Sequence, residues 1–146
     1  MLKKITQITL MGLLFLNVSC SKDNNNSSDD RNDSPLTWIT NGQNFTAKGG
    51  KAFDSDNSIF VNITPHESDC NSKVIDFVDY ISVTIPKNST SNELNVVFNS
   101  KNKSMNALNS SVKYEYTDTS FTIWIEAETI NGNKATGKFT VPYCKK

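Results

Sequence analysis

Apolar and polar residues alternate along much of the chain after residue 58. In several segments the apolar side chains occupy every second position; these rows are Ile59, Val61 and Ile63; Ile81, Val83 and Ile85; Leu94, Val96 and Phe98; Val112, Tyr114 and Tyr116; Phe121, Ile123, Ile125 and Ala127; and Phe139, Val141 and Tyr143. A period of two places each row on one face of a β-strand. The pattern therefore predicts a series of strands, each with one buried face.

Turn-forming residues separate these segments. Asn131 and Gly132 favour a tight hairpin between the last two strands, because both tolerate positive φ angles. Asn41 and Gly42 predict a second hairpin near the start of the domain. Further breaks between strands are predicted at Gly49 with Gly50, at Pro65 and at Pro86.

Many short strands with one apolar face are typical of an all-β domain. We predict an antiparallel β-sandwich over residues 36–146, with an open barrel as the alternative. Residues 74–78 and 105–108 are ambiguous, since each fits a strand or one turn of helix. A chain of 146 residues has room for a single domain of this kind.

The amino-terminal segment has the pattern of an export signal. Lys3 and Lys4 precede an apolar run over residues 5–16, which is shorter than the about 20 residues of a membrane span. Residues 16–20, LNVSC, resemble a lipobox, the motif before a lipidated cysteine. We predict a signal peptide over residues 1–19 and a lipidated Cys20, with ordinary secretion or an uncleaved anchor as the alternatives.

Residues 21–35, SKDNNNSSDDRNDSP, contain no aliphatic or aromatic side chain. A segment of this composition cannot bury apolar surface. The lipidated Cys20 and the residues up to Pro35 are therefore predicted to form a disordered tether between the lipid and the domain.

The cysteine count fits the same compartment. The chain has three cysteines, and lipidation of Cys20 leaves Cys70 and Cys144 as a pair. In an oxidising compartment a disulfide between them is the default expectation. Two inert thiols are the alternative.

Charge and local motifs give little support for catalysis. The formal net charge is zero and the sequence has no basic stripe, so no nucleic-acid partner is expected. Residues 65–70, PHESDC, match no zinc spacing, and residues 54–57, DSDN, lack the glycine and glutamate of a calcium loop. No nucleophile elbow occurs. We predict no enzymatic activity, no catalytic residue, no metal and no cofactor.

Three aromatic residues lie opposite the apolar rows: Phe60, Tyr80 and Trp124. If their strands are neighbours, the rings form a platform suited to a glycan or a protein ligand. The alternative is that a loop or a second layer covers them.

Two segments resemble small uncharacterised β-sandwich lipoproteins of the Bacteroidota. Residues 38–47, WITNGQNFTA, resemble their opening hairpin, and residues 137–141, GKFTV, resemble their closing strand. Residues 20–23, CSKD, also resemble the start of mature lipoproteins of that group, in which a lysine followed by acidic residues directs the protein to the outer face of the outer membrane. The resemblance implies an outer-membrane lipoprotein on either leaflet and implies no particular activity.

These patterns together lead to one functional prediction. We expect a lipid-anchored cell-envelope protein that contacts the membrane through its anchor and serves as a non-enzymatic binding or structural module. A carbohydrate-binding accessory lipoprotein is one alternative. A protein-binding immunity or inhibitor lipoprotein is the other.

Overall fold

A computed structural model describes residues 31–73, 78–101 and 103–145. Within these ranges the chain forms β-strands and no helix, so no described segment has the long apolar helix needed to cross a membrane. The strands are β1 (Thr37–Thr40), β2 (Gln43–Thr46), β3 (Gly49–Ser55), β4 (Ser58–Thr64), β5 (Ile81–Pro86), β6 (Asn95–Ser100), β7 (Lys103–Asn106), β8 (Asn109–Tyr116), β9 (Ser120–Glu128) and β10 (Lys134–Cys144). The predicted all-β class is confirmed. The predicted signal peptide, Cys20 and residues 21–30 lie outside the described residues.

Strand β10 organises the sheet because it pairs with three other strands. Along most of its length it pairs antiparallel with β9, and near its start its other edge pairs with β1. At its end Tyr143 and Cys144 pair with Ala52 and Phe53 of β3. Strand β10 thereby joins a layer of β2, β1, β10, β9 and β8 to a layer of β3 to β7, so that the strands form one open sheet. The β10–β3 pair is parallel, an exception to the predicted antiparallel pairing.

The predicted apolar rows form the core. The rows of β4, β5, β6 and β9 are buried and join Leu36 and Trp38 in one cluster. The row of β8 differs from this prediction, because Val112 is fully buried, Tyr114 is half-buried and Tyr116 is 56% exposed. Burial thus falls along β8 toward its carboxyl end, where its last ring reaches solvent.

Both predicted Asn-Gly pairs lie between paired strands, but only the first forms the predicted tight turn. Asn41 and Gly42 have φ angles of 51° and 77° and join β1 to β2. Positive φ at both central residues is what a two-residue turn of type I′ requires. Strands β9 and β10 pair antiparallel as predicted, but residues 129–133 connect them and only Gly132 of the Asn131 and Gly132 pair has a positive φ, so the prediction of a tight turn was wrong here.

The break predicted at Gly49 and Gly50 was wrong, because both glycines belong to β3. The loop after β4 passes so close to Gly49 that a side chain there would meet the backbone of His66 and Ser68. A close approach, rather than a turn, explains why glycine occupies this position.

The two ambiguous segments differ in outcome. Residues 74–77 lie outside the described residues. Met105 belongs to β7, and the chain then runs through Leu108 into β8 without forming a helix.

Hydrogen bonds outside the regular ladders hold β8 to the residues before β6, and the residue Ala107 before β8 to β6. The backbone N–H of Ala107 donates to the carbonyl of Val96, and that of Val112 donates to the carbonyl of Asn92, each at 2.8 Å. The Ser110 hydroxyl donates to a carbonyl in the same stretch before β6. These bonds hold β8 beside residues 92–94, so that the loop after β5 lies next to the tyrosines of β8.

Candidate functional site

Cys70 and Cys144 form a disulfide, as the cysteine count predicted. Their Cα atoms are 5.5 Å apart although the two residues are separated by 74 positions. Cys144 ends β10 and Cys70 lies in the loop after β4, so the bridge ties the last strand to that loop. The Lys51 ammonium holds the same loop by donating to the carbonyls of Cys70 and Ser72.

The polar motif at residues 65–70 is built into this loop. Cys70 is bonded to Cys144, and the Asp69 carboxylate accepts the backbone N–H of Asn71 at 2.9 Å and the hydroxyl of Ser72. The hydrogen bond from the Asn71 backbone is the main reason that the pKa of Asp69 is lowered. Among the residues that the structure describes, no three His, Cys, Asp or Glu side chains are grouped so that they could hold a metal ion.

Residues 31–35, which we call the N-terminal strap, run beside the edge of β10 at Lys138 and place Arg31 and Asp33 over the outward-facing ring of Trp124. The Asp33 carboxylate accepts the indole Nε1–H of Trp124 at 2.8 Å and the Lys138 ammonium at 3.2 Å. The Arg31 guanidinium and the Lys138 ammonium lie 4.8 Å and 4.7 Å from the centroid of the Trp124 ring. Trp124 is therefore only 6% exposed, so its outward-facing ring is covered by the strap.

Backbone contacts fix the strap as firmly as side chains do. The N–H of Lys138 donates to the carbonyl of Ser34 at 2.8 Å, and the N–H of Leu36 donates to the carbonyl of Lys138 at 2.9 Å. Gly137 has a φ angle of 120°, and a Cβ atom there would lie 2.6 Å from the Ser34 oxygen and 2.7 Å from the Pro35 oxygen. A side chain at this position would collide with the backbone of the strap, which explains why glycine occupies it. The described part of the predicted tether therefore belongs to the domain.

The three rings predicted to form one platform lie apart. Phe60 stacks on Phe53 of the neighbouring strand with 5.8 Å between ring centroids, and both rings are half-buried. Tyr80 precedes β5 and is also half-buried. Strands β4 and β9 are separated in the sheet by β3 and β10, so Phe60 and Trp124 are not neighbours. The prediction of a single platform was wrong because β9, which carries Trp124, is adjacent to neither β4 nor β5.

A different aromatic cluster lies where β8 ends, β9 begins and β10 ends. The Tyr116 ring is parallel to Phe121 at 5.6 Å and meets Tyr143 edge-on at 5.7 Å, while Tyr114 lies 6.5 Å from Tyr116. Phe121 and Tyr143 are buried, whereas Tyr116 is exposed. Sequence reasoning missed this cluster because alternation assigned Tyr116 to the core. The one signal in the sequence for the exposure of Tyr116 was its position at the end of a strand, directly before the polar residues 117–119.

A hydrogen-bond network holds Tyr143 in place beneath Tyr116. The Tyr143 hydroxyl donates to the Asp54 carboxylate at 2.9 Å, and the Lys87 ammonium pairs with the same carboxylate at 2.8 Å. The hydrogen bonds from Lys87 and then from Tyr143 lower the pKa of Asp54. Burial, followed by the hydrogen bond to Asp54, raises the pKa of Tyr143 to about 12. The first carboxylate of the calcium-like motif at residues 54–57 is thus engaged in this network.

An open polar cleft of about 430 Å³ is lined by Tyr114, whose ring centroid lies 6.5 Å from that of the exposed Tyr116. Residues 89–92, with the sequence STSN, form one wall, and Tyr114, Lys113 and Arg31 form the other. We call the cleft together with the Tyr116 ring the tyrosine cleft. It combines an exposed aromatic ring with hydroxyl, amide and cationic groups, a combination suited to binding an organic ligand.

No family model, no curated protein and no solved structure matches the chain. The resemblance to lipoproteins of the Bacteroidota therefore stays a prediction. The features of the chain that bear on its function are the disulfide, the N-terminal strap and the tyrosine cleft.

Proposed function

We propose that this chain is a lipid-anchored protein of the bacterial cell envelope whose β-domain is a non-enzymatic binding module. The disulfide between Cys70 and Cys144 is the observation that carries the proposal. Disulfides of this kind persist in oxidising compartments outside the cytoplasm. The bridge uses two of the three cysteines and leaves Cys20 for the lipid.

The spacing between Cys20 and the domain suits an anchor. Residues 21–30 separate Cys20 from the N-terminal strap, and a fully extended segment of this length spans at most roughly 35 Å. The lipid would keep the domain within that distance of the bilayer. Because one acyl chain holds a protein to a membrane only weakly, the several chains of a bacterial lipoprotein account for a stable anchor. We place the protein in the outer membrane, on its outer face or its periplasmic leaflet.

Four carboxylates of the domain are engaged in hydrogen bonds that stabilise the fold. Each has a clearly lowered pKa; they are Asp33, Asp54, Asp69 and Asp118. A general acid or base works best with a pKa near the ambient pH, and a lowered carboxylate pKa moves away from that value. These groups therefore serve the architecture.

Two alternatives concern the ligand. A carbohydrate-binding accessory role is favoured by the tyrosine cleft, which joins an exposed ring to a wall of hydroxyl groups. A protein-binding immunity or inhibitor role is the other alternative, and a protein partner is one outcome of the binding experiment in the next subsection.

Replacement of Cys20 tests the anchor. We expect Cys20→Ser to abolish incorporation of labelled palmitate and to move the protein from the membrane fraction to the soluble fraction, because the polar tether contributes no affinity for the bilayer. The matched control is the double variant Cys70→Ser with Cys144→Ser, which should keep both the label and the membrane location. Absence of label from the wild-type protein, or unchanged membrane association of Cys20→Ser, would contradict the proposal.

A further inference from the structure

We propose that the tyrosine cleft is a carbohydrate-binding site, in which one sugar ring stacks on Tyr116 and its neighbour occupies the cleft beside Tyr114. This inference rests on the proposed function as an exported binding module and names the ligand class. Its evidence is the geometry of the end of β8 and of residues 89–92, which is independent of the lipid anchor.

Tyr116 is held in a fixed orientation before any ligand arrives. Its ring is parallel to Phe121 at 5.6 Å, and the edge contact with Tyr143 at 5.7 Å supports it from a second side. The supporting rings are buried, and the Asp54 hydrogen bond fixes Tyr143 in turn. A ring that is already ordered loses little conformational entropy on binding, so its stacking energy is available to the ligand.

The wall opposite Tyr114 supplies hydroxyl groups in fixed positions. Ser89 Oγ accepts the N–H of Ser91, and Ser91 Oγ accepts the N–H of Glu93, each at 3.1 Å. Each hydroxyl oxygen is thereby fixed while its proton can be donated outward. A sugar presents an apolar C–H face and a rim of hydroxyl groups that both donate and accept hydrogen bonds. The ring of Tyr116 and this wall match those two requirements.

The size of the site favours an oligosaccharide over a protein. The cleft measures about 430 Å³, which lies within the roughly 300–1,000 Å³ of pockets for small ligands. Stable protein interfaces bury about 800 Å² on each partner around an apolar centre. Among the described residues, the two most exposed large apolar side chains, Leu108 and Ile130, lie at the other end of β8 and β9 from Tyr116.

Two cations and one carboxylate lie around the cleft. Arg31 and Lys113 line one wall, and Glu115 lies 3.9 Å from the Arg31 guanidinium. The shared chemistry of the ligand is therefore a sugar ring with hydroxyl groups, with or without a carboxylate. Neutral and acidic polysaccharides are compared as separate arms of the test.

Affinity electrophoresis in native gels tests the site. The full protein, purified with detergent from whichever fraction contains it, is run in gels that hold one polysaccharide each: β-glucan, xylan, mannan or acidic polygalacturonate. We expect at least one of them to retard the wild-type protein. Tyr116→Ala should weaken that binding roughly tenfold or more, whereas Tyr116→Phe, which keeps the ring, should stay within about threefold of wild type. Ile130→Ala, an exposed apolar change at the opposite end, is the matched control and should bind normally.

Three results would overturn the inference. In the first, none of the four polysaccharides retards the protein, and in the second, Tyr116→Ala leaves the retardation unchanged. In the third, the protein captures a protein partner in a manner that depends on Tyr116, while no glycan binds. A melting curve for each variant establishes that loss of binding is not loss of folding. Absence of palmitate label from the wild-type protein with intact glycan binding would reject the anchor alone, and palmitate label without glycan binding would reject the ligand alone.

Discussion

Trp124 and Tyr116 are aromatic residues of the same strand pair, β8 and β9, yet their surroundings are opposite. Trp124 lies in the middle of β9, points outward, and is 6% exposed because the N-terminal strap covers it. Tyr116 lies at the end of β8, on the inward-facing row, and is 56% exposed. The direction of a side chain relative to the sheet therefore does not decide its accessibility. Coverage by other parts of the chain decides it.

The indole N–H of Trp124 explains part of the difference in exposure between Trp124 and Tyr116. A buried indole N–H needs an acceptor, and the Asp33 carboxylate supplies one from 91 positions away in the sequence. Lys138 then pairs with the same carboxylate, so a single side chain joins the strap to β9 and β10. Tyr116 reaches water at its strand end and needs no such partner.

The largest expected difference between the two regions is in stability. Trp124→Ala removes a covered ring together with its hydrogen bond to Asp33, and should lower the free energy of unfolding by about 3–5 kcal/mol. Tyr116→Ala removes an exposed ring and should cost about 1 kcal/mol or less. Urea denaturation of both variants measures the two values. Equal losses of unfolding free energy in the two variants would contradict the difference between the covered ring and the exposed ring.

A smaller effect is expected on the stability of the fold at acidic pH. The pKa of Asp33 is lowered from its ordinary value of 3.8, first by the hydrogen bond from Trp124 and then by that from Lys138. A carboxylate with a lowered pKa stabilises the fold above its ordinary pKa, and this contribution is lost as the pH falls through the lowered value. Asp33→Asn should therefore have a lower melting temperature than the wild type at pH 7, and the difference between the two melting temperatures should narrow below about pH 4.

Tryptophan emission gives that experiment a local readout. Asp33→Asn should shift the emission of Trp124 to longer wavelength at pH 7, because the strap is less firmly held. Asp118→Asn, which removes a carboxylate paired with Lys145 at the far end of β9, is the control and should leave emission unchanged. If Asp33→Asn left the tryptophan emission unchanged, as Asp118→Asn is expected to do, the role assigned to Asp33 would be rejected.

Local patterns predicted much of the fold correctly. Alternation located the buried rows of β4, β5, β6 and β9, since a period of two follows directly from strand geometry. The Asn41 and Gly42 turn followed from the backbone angles that a short hairpin needs. The Cys70 and Cys144 bridge followed from the cysteine count.

The features that sequence reasoning missed all depend on distant parts of the chain. Glycine is needed at Gly49 because the loop after β4 approaches it closely, and at Gly137 because the strap runs beside β10 there. The parallel pairing of β10 with β3 arises only when the two layers come together. Asp33 lies in a polar tract whose composition alone gives no sign that it meets a tryptophan. The same limit applies to the tyrosine cleft, which forms only when β8 packs beside residues 89–92.

Mass measurement of the protein isolated from the cell envelope tests the central claim most directly, because one experiment reports on all three cysteines. Without reductant, we predict that the mature chain begins at Cys20 with the added mass of a diacylglyceryl group and a fatty acid, and that the peptides of Cys70 and Cys144 are joined. A mature chain with an unmodified Cys20, or with Cys20 bonded to either of the other two cysteines, would contradict the account.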